Sequence, residues 1–278
     1  MSRKMSSKES QLAILLLAIF LAVLTLLTNV PGAVSYYVTG PPYSYNPGDQ
    51  QLGPENWGHL YNNWTNCSYG HRQTPINIKS SKAKVDSNLG KLEFNYKPVK
   101  AEAYNTGHGI KVTILGDGGT LSFDGMTFGL TQYHWHWPSE HAINGKRHAL
   151  ELHLVHSSPQ GLAVVGVLYD YGQEDPLLKM MLPVFSSIGD QILDLGIIDP
   201  REIAFDSSRY YRYTGSLTTP PCSEGVIWTV LTKYNQVTPD QIVQLENIVH
   251  DSYPASARPL QSLDGRLVYI NPKPCGSN

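Results

Sequence analysis

Short runs of alternating apolar and polar residues recur along most of the chain and predict a fold made mainly of β-strands. The clearest runs lie at residues 92–96, 110–115, 120–123, 129–137, 149–156, 162–169, 210–215 and 226–231. Clusters of Gly, Asp, Asn and Ser separate them, as expected for antiparallel strands joined by turns. We therefore predict a mainly β protein with a few short helices, organised as a single domain on a large, twisted, mostly antiparallel central sheet.

Two segments show helical periodicity instead. Thr238, Pro239 and Gln241 match a capping box with proline at the first helical position. The apolar residues that follow fall on one helical face, namely Ile242, Leu245, Ile248 and Val249. A shorter helix is predicted at residues 176–185, which are also rich in spaced apolar side chains.

The segment 132–156 contains two strand-like runs whose polar side chains are aimed at one point. Side chains at positions i and i+2 of a strand share a face. On the first run this rule groups Gln132, His134 and His136. On the second run it groups Glu151, His153 and Val155. Turn-forming residues between the runs suit an antiparallel connection, so we expect the three histidines to meet on a common face.

Three neutral imidazoles, with a fourth position left for water, are the ligand set of a catalytic zinc. We therefore predict a Zn²⁺ site formed by His134, His136 and His153. Gln132 and Glu151 each stand two residues before a proposed ligand, where they can accept a hydrogen bond from its second ring nitrogen. The alternative is a pair of ordinary sheet histidines and an unrelated third.

The first 35 residues have the pattern of a targeting segment. Three basic residues near the start precede an uncharged apolar run at 12–27 and small residues at 33–35. We predict a signal peptide at 1–35, with an uncleaved signal anchor as the alternative, and a mature domain at 36–278. The expected location is extracellular, through the secretory pathway, with the periplasm or an organelle lumen as alternatives.

The net charge of the chain argues against some classes of partner. The whole chain has a formal net charge of −2, and residues 1–35 carry three basic residues and one acidic residue, or +2, so the remainder carries −4. Nothing in this balance suggests nucleic acid or an anionic membrane as a partner. Once the signal is cleaved, no stable membrane association is expected.

Seven sequence blocks, in order, resemble those of the alpha-type carbonic anhydrases, in particular secreted plant, algal and bacterial members. They lie at residues 53–57, 73–78, 105–108, 132–156, 161–166, 215–221 and 257–259. The similarity extends from about Tyr45 to Ile270. It implies the alpha-carbonic-anhydrase fold and reversible hydration of carbon dioxide to bicarbonate and a proton by zinc-bound hydroxide. The small-molecule substrate pair is then carbon dioxide and bicarbonate.

The same resemblance implies roles for individual residues. His108 matches the family's proton-shuttle histidine. Thr218 matches the hydroxyl that accepts the proton of the zinc hydroxide, with its own hydrogen held by Glu140. Thr219 lies on the bicarbonate side, and His141 is expected to support the site. Four apolar residues match the wall that holds carbon dioxide: Val155, Val164, Leu217 and Trp228.

Two positions depart from the family pattern. Tyr45 is the counterpart of the tyrosine that takes part in the family's proton-water network, but the family's tyrosine lies closer to the Gly53 block than Tyr45 does. Lys111 stands near the proposed shuttle, where many members carry a neutral amide, and its charge is expected to alter the proton relay.

Cysteine and asparagine positions suit an exported protein. Cys67 and Cys222 stand where secreted members of the resembled family form an intrachain disulfide. Cys275 is then left free or pairs between chains, which would give a dimer. Glycosylation motifs begin at Asn63 and Asn66. Asn63 is the favoured carrier, because Asn66 directly precedes Cys67.

Three other functions compete with the predicted carbonic anhydrase activity. The strongest alternative is a carbonic-anhydrase-like storage or binding protein with little turnover. A zinc peptidase would need a pattern such as His-Glu-x-x-His, which does not occur in the chain. A structural zinc site would need a fourth protein ligand, and none is evidently placed for it.

Overall fold

The computed structural model describes residues 42–272 except 190, 250 and 252, and strands dominate this part of the chain. The described residues all fall in one compact unit. No helix among them is both long and apolar enough to cross a membrane. The predicted targeting segment at 1–35 and Cys275 lie outside the described residues, so those predictions stand untested.

The described part contains sixteen strands, several of only two residues. They are β1 (Asn77–Ile78), β2 (Lys84–Val85), β3 (Glu93–Tyr96), β4 (Val99–Asn105), β5 (Ile110–Leu115), β6 (Gly119–Phe123), β7 (Met126–His136), β8 (Ala142–Ile143), β9 (Lys146–Arg147), β10 (Leu150–Ser158), β11 (Gly161–Tyr171), β12 (Leu193–Ile198), β13 (Tyr210–Ser216), β14 (Glu224–Leu231), β15 (Asn235–Val237) and β16 (Tyr269–Ile270). The α-helices are α1 (Trp57–Leu60), α2 (Asn66–Tyr69), α3 (Pro176–Phe185) and α4 (Pro239–Val249). Short 3₁₀ turns occupy Pro54–Asn56, Asn62–Trp64, Ser80–Lys82 and Pro200–Glu202.

Thirteen of these strands form one sheet, whose main path runs β12-β4-β5-β7-β10-β11-β14-β13-β16-β2. Parallel pairing occurs where β11 meets β14 and β15, and where β16 meets β2. The other pairs in this sheet are antiparallel. A small second sheet has the order β1-β8-β9. The predicted large, mostly antiparallel central sheet is therefore confirmed.

All eight predicted strand runs are strands in the structure, but two longer strands, β4 and β12, were not predicted. The inward positions of β4 include Ala101 and Ala103, whose small side chains make a weak hydrophobic signal. The edge strand β12 has a register shift between Asp194 and Gly196 and is largely exposed, so its alternation is interrupted. The alternation of β4 is therefore weak in hydrophobicity, and that of β12 is broken.

Both predicted helices form, and one glutamine joins their ends. At α4 the capping box is present, because Gln241 N–H donates to Thr238 Oγ1 and Thr238 N–H donates to Gln241 Oε1, each at 3.3 Å. The Gln241 side chain also makes two hydrogen bonds to the backbone of Asp175. Asp175 in turn caps α3 by accepting a hydrogen bond from Leu178 N–H at 2.8 Å.

Strands β7 and β10 separate two environments. One face packs into the largest hydrophobic cluster, through Tyr133, Trp135, Leu152 and Leu154. The other face carries the histidine cluster, with Val155 in a second apolar cluster that includes Val164 and Trp228. Because side chains alternate along a strand, one large core supports the same backbone that positions the polar site.

His156 illustrates the core side of this sheet. It is fully buried, with its Nε2 2.6 Å from the Tyr96 hydroxyl oxygen and its Nδ1 3.2 Å from the Ala163 carbonyl oxygen. It faces away from the ligand set, as alternation predicts. Burial lowers the pKa of His156 to about 4.

This buried histidine should make the protein sensitive to acid. Between its ordinary pKa of about 6.5 and its folded pKa, the unfolded chain binds a proton that the folded chain does not. We expect stability to fall by up to about 3 kcal/mol as the pH drops through this window. Urea unfolding at pH 7 and pH 4.5 should show this loss in the natural protein and a smaller loss in His156→Gln. Equal losses in the two proteins would contradict the assignment.

Candidate metal centre and cavity

The predicted ligands come together because of the register between β7 and β10. His153 lies directly opposite His134, and Glu151 lies opposite His136. The three ring centroids are 4.7–5.2 Å apart. One ring nitrogen from each histidine lies within 4.8 Å of the others. The common face predicted from strand alternation is thus observed.

Each predicted ligand histidine is oriented by a hydrogen bond to an oxygen. His134 Nδ1 is 2.7 Å from Gln132 Oε1, His136 Nδ1 is 2.5 Å from the Ser256 carbonyl oxygen, and His153 Nε2 is 2.9 Å from Glu151 Oε1. These oxygens can only accept, so the histidine nitrogens in these contacts carry hydrogen. The lone pairs left for a metal are therefore on Nε2 of His134 and His136 and on Nδ1 of His153.

The ligand set fits a metal on independent grounds. Nε2 of His136 is buried and has no hydrogen-bond partner among the described residues. Leaving such a nitrogen unsatisfied is costly, whereas coordination would satisfy it. Burial is also the main cause that lowers the pKa of both His134 and His136, which keeps the rings neutral and able to ligate. Three nitrogen ligands with an open fourth position suit Zn²⁺.

Glu151 connects the ligand set to a buried polar network. It accepts hydrogen bonds from the backbone N–H and the ring Nδ1 of His141, at 2.8 and 2.7 Å. His141 Nε2 lies 2.7 Å from the hydroxyl oxygen of Tyr213. Burial opposes ionisation of Glu151, but His141 and His153 outweigh it and hold its pKa well below the ordinary value. His141 therefore contacts the carboxylate that orients His153.

A cavity of about 370 Å³ opens above the three histidines. All four predicted wall residues line it, namely Val155, Val164, Leu217 and Trp228, together with Thr218 and Thr219. Trp228 is held in place by donation from its Nε1 to the Ser216 carbonyl oxygen at 2.9 Å. The cavity thus places an apolar wall and two hydroxyl groups beside the ligand set.

Glu140 is fully buried next to the ligands. Its Oε1 accepts the backbone N–H of Arg258 at 2.9 Å, and its Oε2 lies 3.5 Å from His136 Nε2. Oε2 has no hydrogen-bond partner within the described part of the chain, so the expected bond from Thr218 is not made in this structure. The roles of Thr218 and Glu140 remain predictions.

His108 and Tyr45 both line the cavity. The Tyr45 ring is buried, 5.5 Å from the His108 ring and 6.5 Å from the His136 ring between centroids. The unusual spacing before the Gly53 block therefore still brings Tyr45 to the site. Lys111, opposite His134 in the register of β5 and β7, also lines the cavity.

Three residues near the site were missed by sequence reasoning, namely Tyr43, Asp251 and Ser256. Tyr43 lies in a Tyr- and Pro-rich stretch before the Gly53 block, and its ring centroid is 4.3 Å from that of His108. The other two lie in irregular backbone after α4. Since Ser256 acts through its carbonyl oxygen, its side chain carries no signal of this contact.

The predicted disulfide between Cys67 and Cys222 is present and spans 155 residues. Cys222 N–H donates to the Thr219 carbonyl oxygen at 2.9 Å, which anchors the loop that reaches the cavity. Asn63 and Asn66 are exposed, so either is accessible to a glycan. Their glycosylation stays a prediction.

A cluster of three histidines, each oriented by a hydrogen bond and all lining one cavity, is an arrangement typical of metal-binding proteins. A model of the eukaryotic-type carbonic anhydrase family matches residues 52–272, and the chain belongs to this family. The resemblance seen in the sequence blocks is thereby confirmed.

Comparison with individual proteins supports this family assignment. Alpha carbonic anhydrase 4 of Arabidopsis thaliana is 40% identical over 243 residues, covering 87% of this chain and 90% of that protein. The crystal structure of a dioscorin complexed with ascorbate has a TM-score of 0.81 and 38% identity, covering 85% of this chain and all of the other. The alpha-carbonic anhydrase from Thermovibrio ammonificans, in complex with the inhibitor sulfanilamide, has a TM-score of 0.75 and 36% identity, covering 83% and 99%.

Proposed function

We propose that this protein is a zinc-dependent carbonic anhydrase that reversibly hydrates carbon dioxide to bicarbonate and a proton. The observation that carries the proposal is the convergence of three imidazoles at an apolar-walled cavity. Two of them are buried, and one of these has a ring nitrogen without a hydrogen-bond partner among the described residues. Zn²⁺ held there would supply hydroxide at neutral pH by lowering the pKa of bound water to about 7.

The protein's own residues provide the remaining requirements. Carbon dioxide offers almost nothing to hydrogen-bond, so Val155, Val164, Leu217 and Trp228 suit it as a wall. Thr219 is placed at the same cavity, where its hydroxyl can donate to bicarbonate. Glu140, when ionised, only accepts hydrogen bonds, so a bond from Thr218 would direct the lone pairs of that hydroxyl into the cavity.

Each hydration leaves a proton in the cavity, and His108 is our candidate to carry it to solvent. It lines the cavity and remains 20% exposed. Imidazole is the side chain whose ordinary pKa suits proton exchange near neutral pH.

Replacing His108 with alanine should lower kcat for carbon dioxide hydration by about 10-fold or more in weakly buffered solution, since proton removal loses its general base. Added imidazole buffer should restore most of the loss. The value of kcat/KM should stay unchanged, because it reports the steps that precede proton removal. His59→Ala, an exposed histidine outside the cavity, is the control. An unchanged kcat in His108→Ala would assign the shuttle elsewhere.

The rival function is a storage or binding protein with little turnover. The similarity to a dioscorin complexed with ascorbate favours it. Lys111 adds a positive charge to the cavity lining, which would suit an anionic ligand as well as bicarbonate. The two functions differ in their dependence on zinc and in turnover.

One experiment separates them. The purified protein is assayed for bound zinc and for carbon dioxide hydration by stopped flow, before and after removal of metal with a chelator and after zinc is returned. The enzyme should contain about one zinc per chain, lose activity with the chelator and regain it with zinc. Metal-free protein without activity, also after zinc addition, would favour the binding protein.

We also propose that the chain is exported and glycosylated. A disulfide is typical of proteins that fold in an oxidising compartment, which supports the predicted signal peptide. Mass spectrometry of the protein from its native source should find a mature start near residue 36 and a glycan on Asn63. A start at Met1 would indicate a retained anchor or no export.

A further inference from the structure

A carboxylate from a distant part of the chain holds His108 at the side of the cavity. Nδ1 of His108 lies 2.8 Å from Oδ2 of Asp251, which follows 143 residues later. Both side chains are mostly buried, with 20% and 15% of their surface exposed. The Tyr43 ring covers the imidazole from another direction, with a centroid separation of 4.3 Å.

The carboxylate is itself oriented. Oδ1 of Asp251 accepts the backbone N–H of Tyr253 at 3.1 Å, which turns Oδ2 towards the imidazole. This arrangement differs from a pair of long, exposed side chains, because short, mostly buried side chains lose less freedom when they meet.

The side-chain amide of Asn105 forms hydrogen bonds to both segments that carry His108 and Asp251. Asn105 Oδ1 accepts Gly107 N–H at 2.8 Å, immediately before His108. Asn105 Nδ2 donates to the carbonyl oxygens of Ile248 and Val249, at 3.2 and 3.0 Å, at the end of α4. Asp251 follows two residues after that helix end. The loop of His108 and the segment of Asp251 are thus connected by more than their own contact.

We propose that Asp251 is a positioning residue for proton transfer, which selects the tautomer and fixes the orientation of His108. The inference rests on the proposed function for its catalytic meaning. A carboxylate can only accept, so neutral His108 carries its hydrogen on Nδ1 and presents Nε2 as the acceptor. A proton from the cavity binds Nε2, the resulting imidazolium keeps its Nδ1 hydrogen bond, and the Nε2 proton then leaves to buffer.

Asp251→Asn is the direct kinetic test, since it keeps the shape and removes the charge. A general acid–base residue contributes roughly 100- to 10,000-fold, and losing its positioning should lower kcat by about 10-fold in weak buffer. The value of kcat/KM should change less than about 2-fold, and imidazole buffer should restore kcat. Asp206→Asn, outside the cavity, is the matched control and should leave both parameters unchanged. An unchanged kcat in Asp251→Asn overturns the proposal.

A double-mutant cycle separates positioning from general destabilisation. In the His108→Ala background, Asp251→Asn should have no further effect on kcat, because its target is gone. An equal decrease in both backgrounds would show that Asp251 acts independently of His108 and would overturn the proposal. Asp251→Ser provides the same comparison if Asp251→Asn does not fold.

A spectroscopic measurement decides the positioning role without enzyme activity. Nitrogen-15 NMR of the histidine rings, in metal-free and zinc-loaded protein at pH 8, distinguishes nitrogens with and without hydrogen, and His108→Ala assigns the signals. His108 should be protonated on Nδ1 in the natural protein and should shift towards a mixture of tautomers in Asp251→Asn. Protonation on Nε2 in the natural protein, or identical spectra, would overturn the proposal. Correct spectra without carbon dioxide hydration would instead reject the proposed function alone.

Discussion

Replacing His136 with alanine should leave a folded protein that no longer retains zinc and hydrates carbon dioxide at least about 1000-fold more slowly, because the water it must use loses its lowered pKa. Among the three proposed ligands His136 is the most informative, since its Nε2 is buried and has no hydrogen-bond partner in the described part of the chain. Removing the ring removes both a ligand and the polar atom that coordination would satisfy.

Metal content and rate should be measured on the same preparation. Zinc is determined by atomic emission after dialysis against a weak chelator, and hydration is followed by stopped flow. His71→Ala, an exposed histidine outside the cavity, should keep both zinc and rate. Full zinc occupancy in His136→Ala would refute the ligand assignment. Unchanged hydration without zinc would refute the proposed chemistry.

Removing the disulfide, by Cys67→Ala with Cys222→Ala, should lower the free energy of unfolding by about 2–5 kcal/mol. The bridge closes a loop of 155 residues. The chain-entropy treatment gives about 5 kcal/mol for a loop of this length, before any native strain. Both cysteines are buried in a small cluster with Tyr45, Trp57 and Trp64, so lost packing adds to the effect.

Urea unfolding at pH 7 under non-reducing conditions measures this loss. Cys275→Ala is the control and should leave the free energy of unfolding unchanged, while non-reducing electrophoresis of the natural protein shows whether Cys275 forms a dimer. A double variant as stable as the natural protein would mean that packing alone holds the Cys222 loop. Loss of stability in Cys275→Ala would mean that this cysteine contributes to the fold.

The predictable part of the site is the part that lies within single strands. His134 and His136 share a face because they are two residues apart, and the same holds for Gln132, Glu151 and His153. The turn residues between β7 and β10 indicated that these strands pair in antiparallel orientation, and this pairing brings the two sets of side chains to one face. Helices α3 and α4 were likewise predictable, because both have apolar side chains at helical spacing and Thr238 begins a capping box.

The part of the site that was not predicted lies in irregular segments, whose sequence shows no periodic pattern. The Ser256 carbonyl oxygen reaches His136 across 120 residues, Arg258 N–H reaches Glu140 across 118, and Asp251 reaches His108 across 143. In each case an irregular segment after α4 folds back over the sheet. Such contacts are determined by the packing of the whole domain, so no local sequence pattern predicts them.

Alternation along the chain was therefore enough to predict a large, mostly antiparallel sheet, the convergence of the three histidines and two of their three orienting partners, because residues two apart in a strand share a face. The third orienting oxygen, the environment of Glu140 and the partner of His108 were decided only when distant segments packed together. A hydrogen bond depends on where two atoms meet in space, and over more than a hundred residues only the folded domain determines that meeting.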